Sequence, residues 1–274
     1  MQTETITQIE LDPQTRAFYC QALQLLNESK VPFLVAGAFA FERHTGIARP
    51  TKDLDIFVRP QDKERIMEVL SAASCETEVH SQHWLAKAFC GENFVDIIFN
   101  SANGITEIDN GWFQRAVSVE VLGIPVQICS PEDLLWSKSF IMARDRYDGA
   151  DVAHVLLTCA EDLDWSYLLH CFGSDWRVLF SHLILFGFIY PAERSRIPNW
   201  VMQELSKRLQ DEINNPPPNE KLCQGTLLSP LQYLIDVEQW GYKDARLQPA
   251  GNLTAEEVSQ WTTTLTEEIK SKSD

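Results

Sequence analysis

The sequence has few of the features that mark secreted, metal-stapled or membrane-spanning proteins. Its seven cysteines are an odd number and contain no Cys-x-x-Cys pair, which argues against a disulfide framework and a zinc ribbon. The longest apolar stretch, residues 179–191, is interrupted by Ser181 and His182 and is too short to cross a bilayer. The first twelve residues have neither a basic start nor an apolar run. We therefore expect a cytoplasmic protein without a membrane partner, whose cysteines are mostly small buried hydrophobes.

Basic residues are also scarce. The chain has 23 Lys and Arg against 39 Asp and Glu, a formal net charge of −16. Such a surface repels phosphate backbones and gives no general affinity for nucleic acid. Bulk binding of DNA or RNA is therefore not expected, whereas a local basic groove and small-molecule or protein substrates remain compatible with the composition.

Apolar periodicity divides the chain of 274 residues into a mixed first part and a helical second part. In the first part the predicted helices are 14–30, 38–45 and 61–73, and the predicted strands are 33–37, 51–58, 84–89, 93–99 and 117–130. Cys90-Gly91-Glu92 and Leu122-Gly123 are typical of hairpin turns.

Ser130 and Pro131 are an N-cap and a first helical residue, and they open the helical part. The helices predicted there are 131–145, 149–160, 164–171, 175–189, 198–213, 229–239 and 254–270. The sequence thus predicts an α+β protein, with a small mixed-sheet domain at 1–130 followed by an all-helical domain at 131–274.

Three aspartates carry the clearest chemical signal. Asp53 and Asp55 are two positions apart on a predicted strand, so both side chains point to the same side of the sheet. Asp96 interrupts a later apolar strand, where a charge is costly to bury alone. Neighbouring carboxylates repel each other unless a cation lies between them, and Mg²⁺ prefers such oxygen ligands. We expect the three to form one divalent-metal site.

The order of these features resembles the nucleotidyltransferase superfamily, also called the polymerase-beta-like fold. Residues 35–58 contain a strand, a glycine turn at Gly37, a short helix and then Asp-x-Asp, and Asp96 follows on a nearby strand. Residues 49–55, 131–138 and 144–152 further resemble the branch of small bacterial nucleotidyltransferases and abortive-infection-type toxins. The resemblance extends over roughly residues 30–160 and implies a nucleotidyltransferase domain at 1–130.

The resemblance implies transfer of a nucleoside monophosphate from a triphosphate, with ATP expected, to an acceptor hydroxyl of a small molecule, a protein or a tRNA. It implies catalytic and metal-binding roles for Asp53, Asp55 and Asp96, with two Mg²⁺ or Mn²⁺ ions clamping the attacking and leaving oxygens. It also implies nucleotide contacts at Gly37, Ala38, Arg49, Thr51 and Lys138. Backbone N–H groups after Gly37 would meet phosphate at a helix N-terminus.

The turn departs from the family pattern, because Ala38 follows Gly37 where a serine or glycine is usual. This departure keeps a second interpretation open, a non-catalytic nucleotide-binding or regulatory module that retains the fold.

Several other residues have competing interpretations. Lys138 could reach a triphosphate or lie on the surface, and Arg49 could face phosphate or pair with a carboxylate. Four further charged residues are best interpreted as an ion-pair cluster joining two helices: Asp145, Arg146, Asp148 and Asp151. His44 favours a structural role, and the His80/His83 spacing lacks further ligands for zinc.

Overall fold

The computed structural model describes residues 5–6 and 9–271 of the chain, so the extreme ends of the predicted domains lie outside it. Contacts group residues 1–130 with 253–261 in one unit and the remaining residues in another. The division into domains near Ser130 stays a prediction. The two units are described separately below.

A mixed sheet is the framework of the first unit. Among the described residues its strands are β1 (Thr5–Ile6), β2 (Leu34–Val35), β3 (Leu54–Phe57), β4 (Glu76–Ser81), β5 (Leu85–Cys90), β6 (Asn93–Ile98), β7 (Val117–Val121) and β8 (Ile124–Ile128). They lie in the order β1-β7-β8-β2-β3-β6-β5-β4. β3 is parallel to β6 but antiparallel to β2, and β5 is antiparallel to both of its neighbours. The predicted α+β class with a mixed sheet is confirmed.

The helices of this unit are α1 (Pro13–Ser29), α2 (Gly37–Thr45), α3 (Lys63–Ala72) and α4 (Asn110–Arg115). The Asp12 carboxylate caps α1 by accepting from two backbone N–H groups at 3.0 Å. Gly46 ends α2 in the left-handed conformation, with φ of 71°. The sequence did not predict α4, which is only six residues long and therefore has almost no periodicity to detect.

The two faces of β3 and β6 differ in chemistry because side chains alternate along a strand. Leu54 and Ile56 are fully buried, and so are their register partners Val95 and Ile97. These apolar side chains form the core side of the sheet. Asp55 and its partner Asp96 alternate with them and point to the opposite face.

Both predicted hairpins are confirmed, but two strands of this unit, β1 and β4, were not predicted. β5 and β6 are joined across Gly91, and β7 and β8 across Leu122 and Gly123, all three of which have positive φ. β4 was not predicted, because its sequence ETEVHS is polar on one face and rich in poor strand formers.

Cys75 and Cys90 form a disulfide, with their Cα atoms 4.7 Å apart. The sequence predicted no disulfide framework and cysteines that are mostly small buried hydrophobes, so this one pair departs from the expectation. Cys75 immediately precedes β4 and Cys90 ends β5. Because Glu76 is the antiparallel register partner of Phe89, the pairing of β4 with β5 brings the two cysteines side by side.

The second unit is largely helical, with α5 (Pro131–Ser139), α6 (Gly149–Cys159), α7 (Trp165–Phe172), α8 (Trp176–Ile189), α9 (Asn199–Asn214), α10 (Leu234–Glu238) and the later part of α11 (Ala255–Ser271). It also contains two short parallel strands, β9 (Leu222–Cys223) and β10 (Lys243–Asp244), which the sequence did not predict.

Two predicted helices of this unit were too long. α5 ends at Ser139 rather than 145, because the chain then folds back so that the Asp148 N–H donates to the Ile141 carbonyl at 3.0 Å. α10 covers only 234–238 of the predicted 229–239. Pro230 lies inside that prediction and cannot donate within a helix.

A buried ion pair stabilises the end of β10. The Arg246 side chain is fully buried, and its Nη2 donates to Asp244 Oδ2 at 2.7 Å. Burial alone would raise the pKa of Asp244, but the hydrogen bonds from Arg246 outweigh it and hold that pKa below its ordinary value.

Candidate functional site

Three aspartates of the first unit converge on one point. Each of Asp53, Asp55 and Asp96 offers a carboxylate oxygen, and these oxygens lie within 4.8 Å of one another. Asp53 lies just before β3, Asp55 within it and Asp96 opposite Asp55 on β6. All three are partly exposed, so a ligand can reach them. The structure brings together the residues that the sequence grouped.

Gly37 lies directly against this cluster. Its φ is 55°, and a Cβ built on it would stand 1.8 Å from Asp55 Oδ2. The neighbouring Ala36 N–H donates to the Asp55 carbonyl at 2.9 Å, which ties the turn to β3. The position therefore requires glycine for two reasons, its left-handed backbone and the closeness of a carboxylate.

The start of α2 presents free backbone donors. Ala36 is the N-cap residue, and no side chain caps the helix there. The first N–H groups of a helix lack intrahelical partners and favour anions. Gly37 and Ala38 are the first two residues of this helix. Phosphate binding by them stays a prediction.

Thr51 and Arg49, two of the predicted nucleotide contacts, have different partners in the structure. The Thr51 hydroxyl donates to Asp53 Oδ1 at 2.8 Å, which fixes the orientation of that carboxylate. The Arg49 guanidinium lies 4.4 Å from the centre of the Phe41 ring, a cation–π contact. The predicted contacts of Thr51 and Arg49 with a nucleotide stay predictions. The hydrogen bond from Thr51 also stabilises the position of Asp53 in the acidic cluster.

Lys87 is a site residue that the sequence analysis missed. Its ammonium donates to Asp96 Oδ1 at 2.7 Å, and the two side chains are only 17% and 13% exposed. Burial raises the pKa of Asp96 and Lys87 opposes that effect, with burial dominating. The signal was available, because pairing strands outward from the predicted Gly91 turn sets Lys87 opposite Asp96.

Tyr19, on α1, is close enough to the cluster to be affected by its charges. Its side chain is fully buried, and no described residue hydrogen-bonds its hydroxyl. Burial raises the pKa of Tyr19, and the negative charges of Asp53 and Asp55 raise it further. The hydroxyl therefore stays neutral.

Lys138 belongs to the second unit and has carboxylate partners there. Its ammonium lies 2.9 Å from Asp148 Oδ2 and 2.7 Å from Asp151 Oδ2, while Arg146 also contacts Asp148. Burial by itself would raise the pKa of Asp148, but these cations outweigh it and lower that pKa. The ion-pair interpretation is confirmed for Arg146, Asp148 and Asp151, and contact between Lys138 and a nucleotide stays a prediction.

The histidines have structural partners. One ring nitrogen of His83 lies 3.0 Å from the Ser81 hydroxyl and the other 3.0 Å from the Ala102 carbonyl. His44 Nε2 lies 2.8 Å from the Cys129 carbonyl. Within residues 5–6 and 9–271, the three aspartates are the sole group of His, Cys, Asp or Glu arranged to hold a metal ion.

Comparison with known proteins gives one match to a family. Residues 44–172 match the model of a family described as uncharacterised nucleotidyltransferases. That segment contains all three aspartates. No protein of curated function matches the chain.

Some solved structures are similar at low identity. The antibiotic-resistance factor ANT(2'')-Ia is 16% identical, with a TM-score of 0.47, over 63% of this chain and 98% of that one. The lincosamide antibiotic adenylyltransferase LnuA, with lincomycin bound, is 18% identical, with a TM-score of 0.38, over 53% of this chain and 96% of that one. JHP933 from Helicobacter pylori is 13% identical, with a TM-score of 0.40, over 75% and 99%.

In the part of the chain that the structure describes, no helix has the length and apolar character needed to cross a membrane. The cytoplasm stays the predicted location.

Proposed function

We propose that this chain is a nucleotidyltransferase that transfers a nucleoside monophosphate from a triphosphate to an acceptor hydroxyl. The match of residues 44–172 to a family described as uncharacterised nucleotidyltransferases supports the proposal. One observation supports the proposal above all. Three carboxylates from two neighbouring strands meet within 4.8 Å, beside the glycine that opens α2. A cluster of like charges this dense is unfavourable by itself and suits a site that binds cations.

The donor set fits a divalent metal. Asp53, Asp55 and Asp96 offer only hard carboxylate oxygens, the ligands that Mg²⁺ and Mn²⁺ prefer. When bound, the metal would neutralise phosphate charge and orient the reacting oxygens. In this proposal Asp53 and Asp55 hold the metal with the triphosphate, and Asp96 adds a ligand on the acceptor side.

The protein groups around the metal would position the substrates. The free N–H groups of α2 after Gly37 would receive triphosphate oxygens. The acceptor oxygen would attack the α-phosphorus and release pyrophosphate, and its proton would pass to a carboxylate, for which Asp96 is our candidate. Thr51 holds Asp53 in place for this through its 2.8 Å hydrogen bond.

The triphosphate we propose is ATP, and the acceptor is a hydroxyl of a small molecule, a protein or a tRNA. The net charge of −16 weakens the case for RNA, because the chain as a whole repels phosphate. A non-catalytic nucleotide-binding module is the second candidate, and the Gly37-Ala38 turn is what favours it.

Labelled triphosphates test the proposal. The protein is incubated with each α-³²P-labelled triphosphate, Mg²⁺ or Mn²⁺, and cell extract separated into small-molecule, protein and RNA fractions. We expect one fraction to become labelled, and labelling to fall to background in Asp53→Asn and Asp55→Asn. Asp12→Asn is the matched control, because it removes one negative charge while asparagine still caps α1.

The two candidate functions predict different results. Metal-dependent binding of a triphosphate without labelling of any fraction would favour the regulatory module. Labelling that persists in both aspartate variants would contradict the proposed site.

A further inference from the structure

A row of four charged residues crosses the sheet at the acidic cluster, with one cation among three acids. Glu78 on β4 is the register partner of Lys87 on β5, Lys87 is the partner of Asp96 on β6, and Asp96 is the partner of Asp55 on β3. Directly opposed residues on neighbouring strands interact most strongly. One cation therefore lies between acids on both sides.

The Lys87 ammonium has two partners, a carboxylate and an aromatic ring, and it is largely buried. It donates to Asp96 Oδ1 at 2.7 Å and lies 4.6 Å from the centre of the Phe94 ring. The ion pair is largely sheltered from water, so solvent and salt screen it less than they would an exposed pair. The contact occupies one of the two carboxylate oxygens of Asp96, a residue of the candidate metal site.

We propose that Lys87 is the resident cation of the acidic cluster, neutralising Asp96 when no divalent ion is bound and competing with the ion for that carboxylate. The inference rests on the proposed function, since it assumes that the cluster binds metal. A divalent ion near Asp96 is repelled by the ammonium, so binding of the ion and the contact of Lys87 with Asp96 oppose each other. Glu78 is exposed and lies opposite Lys87, so it offers the displaced ammonium another carboxylate.

This role differs from that of a purely structural ion pair. If Lys87 only kept Asp96 in position, its removal would disorder the carboxylate and weaken metal binding. If Lys87 competes with the metal, its removal strengthens metal binding in the absence of nucleotide. The two roles thus predict opposite signs for one measured affinity.

The experiment is a titration of the full chain with Mn²⁺ alone, followed by electron paramagnetic resonance of the free ion. We expect Lys87→Met to bind Mn²⁺ about tenfold more tightly than the wild type, the effect of one unit charge close to a divalent ion in a largely hydrated site. Lys87→Arg keeps the charge and should retain the affinity of the wild type. Lys87→Gln should bind Mn²⁺ as tightly as Lys87→Met, and it replaces Lys87→Met in the test if that variant does not fold.

Thermal unfolding in chelator, followed by circular dichroism, establishes that each variant is folded. Equal or weaker Mn²⁺ binding by folded Lys87→Met and Lys87→Gln would overturn the inference while leaving the proposed function standing. Absence of Mn²⁺ binding by the wild type, together with no change in Asp53→Asn, would overturn both.

Discussion

Gly37→Ala is the sharpest test of how the glycine turn serves the acidic cluster. The added Cβ would lie 1.8 Å from Asp55 Oδ2, whereas real Cβ atoms essentially never approach within 3.0 Å, so one group must move by roughly 1.2 Å, the difference between these distances. Metal sites tolerate errors of about 0.2 Å in ligand distance, and a misplacement of about 1 Å at a reacting centre costs about a hundredfold in rate. We expect transfer to fall about a hundredfold and Mn²⁺ binding to weaken.

Gly46→Ala is the matched control for the backbone strain. Gly46 also has positive φ, 71°, and lies at the other end of α2, but a Cβ there meets nothing within 4 Å. Both variants should lose about 1–2 kcal/mol of unfolding free energy from the left-handed conformation. Only Gly37→Ala should lose transfer and metal binding.

Three measurements decide this prediction: urea denaturation for stability, Mn²⁺ titration for the site, and labelled-triphosphate transfer for activity. Wild-type metal affinity and transfer in folded Gly37→Ala would refute the inference that Asp55 is held by this close approach. An equal loss of transfer in Gly46→Ala would show that strain in α2, and not the contact with Asp55, sets the activity.

Three further predictions concern stability, each measured by urea denaturation. Tyr19→Phe should be more stable by about 1 kcal/mol, because it removes a buried hydroxyl for which no described residue is a hydrogen-bond partner; a loss of stability would mean that the hydroxyl is satisfied. Asp244→Asn should cost about 3 kcal/mol, because it leaves the Arg246 charge buried without a counter-ion. The pKa of Asp244 is lowered in the fold, so its contribution is complete above its ordinary pKa and is lost as pH falls through the lowered value; an unchanged acid dependence in Asp244→Asn would contradict this. Lys138→Met should lower the free energy of unfolding by about 2 kcal/mol, because it removes the ammonium next to Asp148. A change near zero would show that this ion pair does not stabilise the fold.

Much of the site follows from local rules. The grouping of Asp53 with Asp55 follows from the alternation of side chains along the predicted strand 51–58, and the two meet although β3 itself begins at Leu54. The hairpin glycines could be read from the sequence because their backbone geometry demands positive φ. Asp96 could be assigned to the cluster because an uncompensated charge does not remain in an apolar strand.

Short or bent elements could not be predicted with the same certainty. The predicted helix 131–145 is six residues longer than α5, which ends at Ser139. Its actual end depends on contacts of the following loop, where the Ala143 N–H donates to the Arg146 carbonyl at 2.9 Å. Periodicity reports which residues could be helical, but tertiary contacts decide where the helix stops.

The sequence by itself determined which residues carry the chemistry and which side of a strand each one faces, because alternation and turn geometry depend on a few neighbouring residues. The tertiary structure decided which groups touch. β2 pairs with β3, and this long-range pairing is what brings Gly37 against Asp55. The Cys75–Cys90 bond likewise depends on the pairing of β4 with β5, which sets Cys75 beside Cys90. Contacts between distant segments are set by packing of the whole unit, and no local pattern in the chain encodes them.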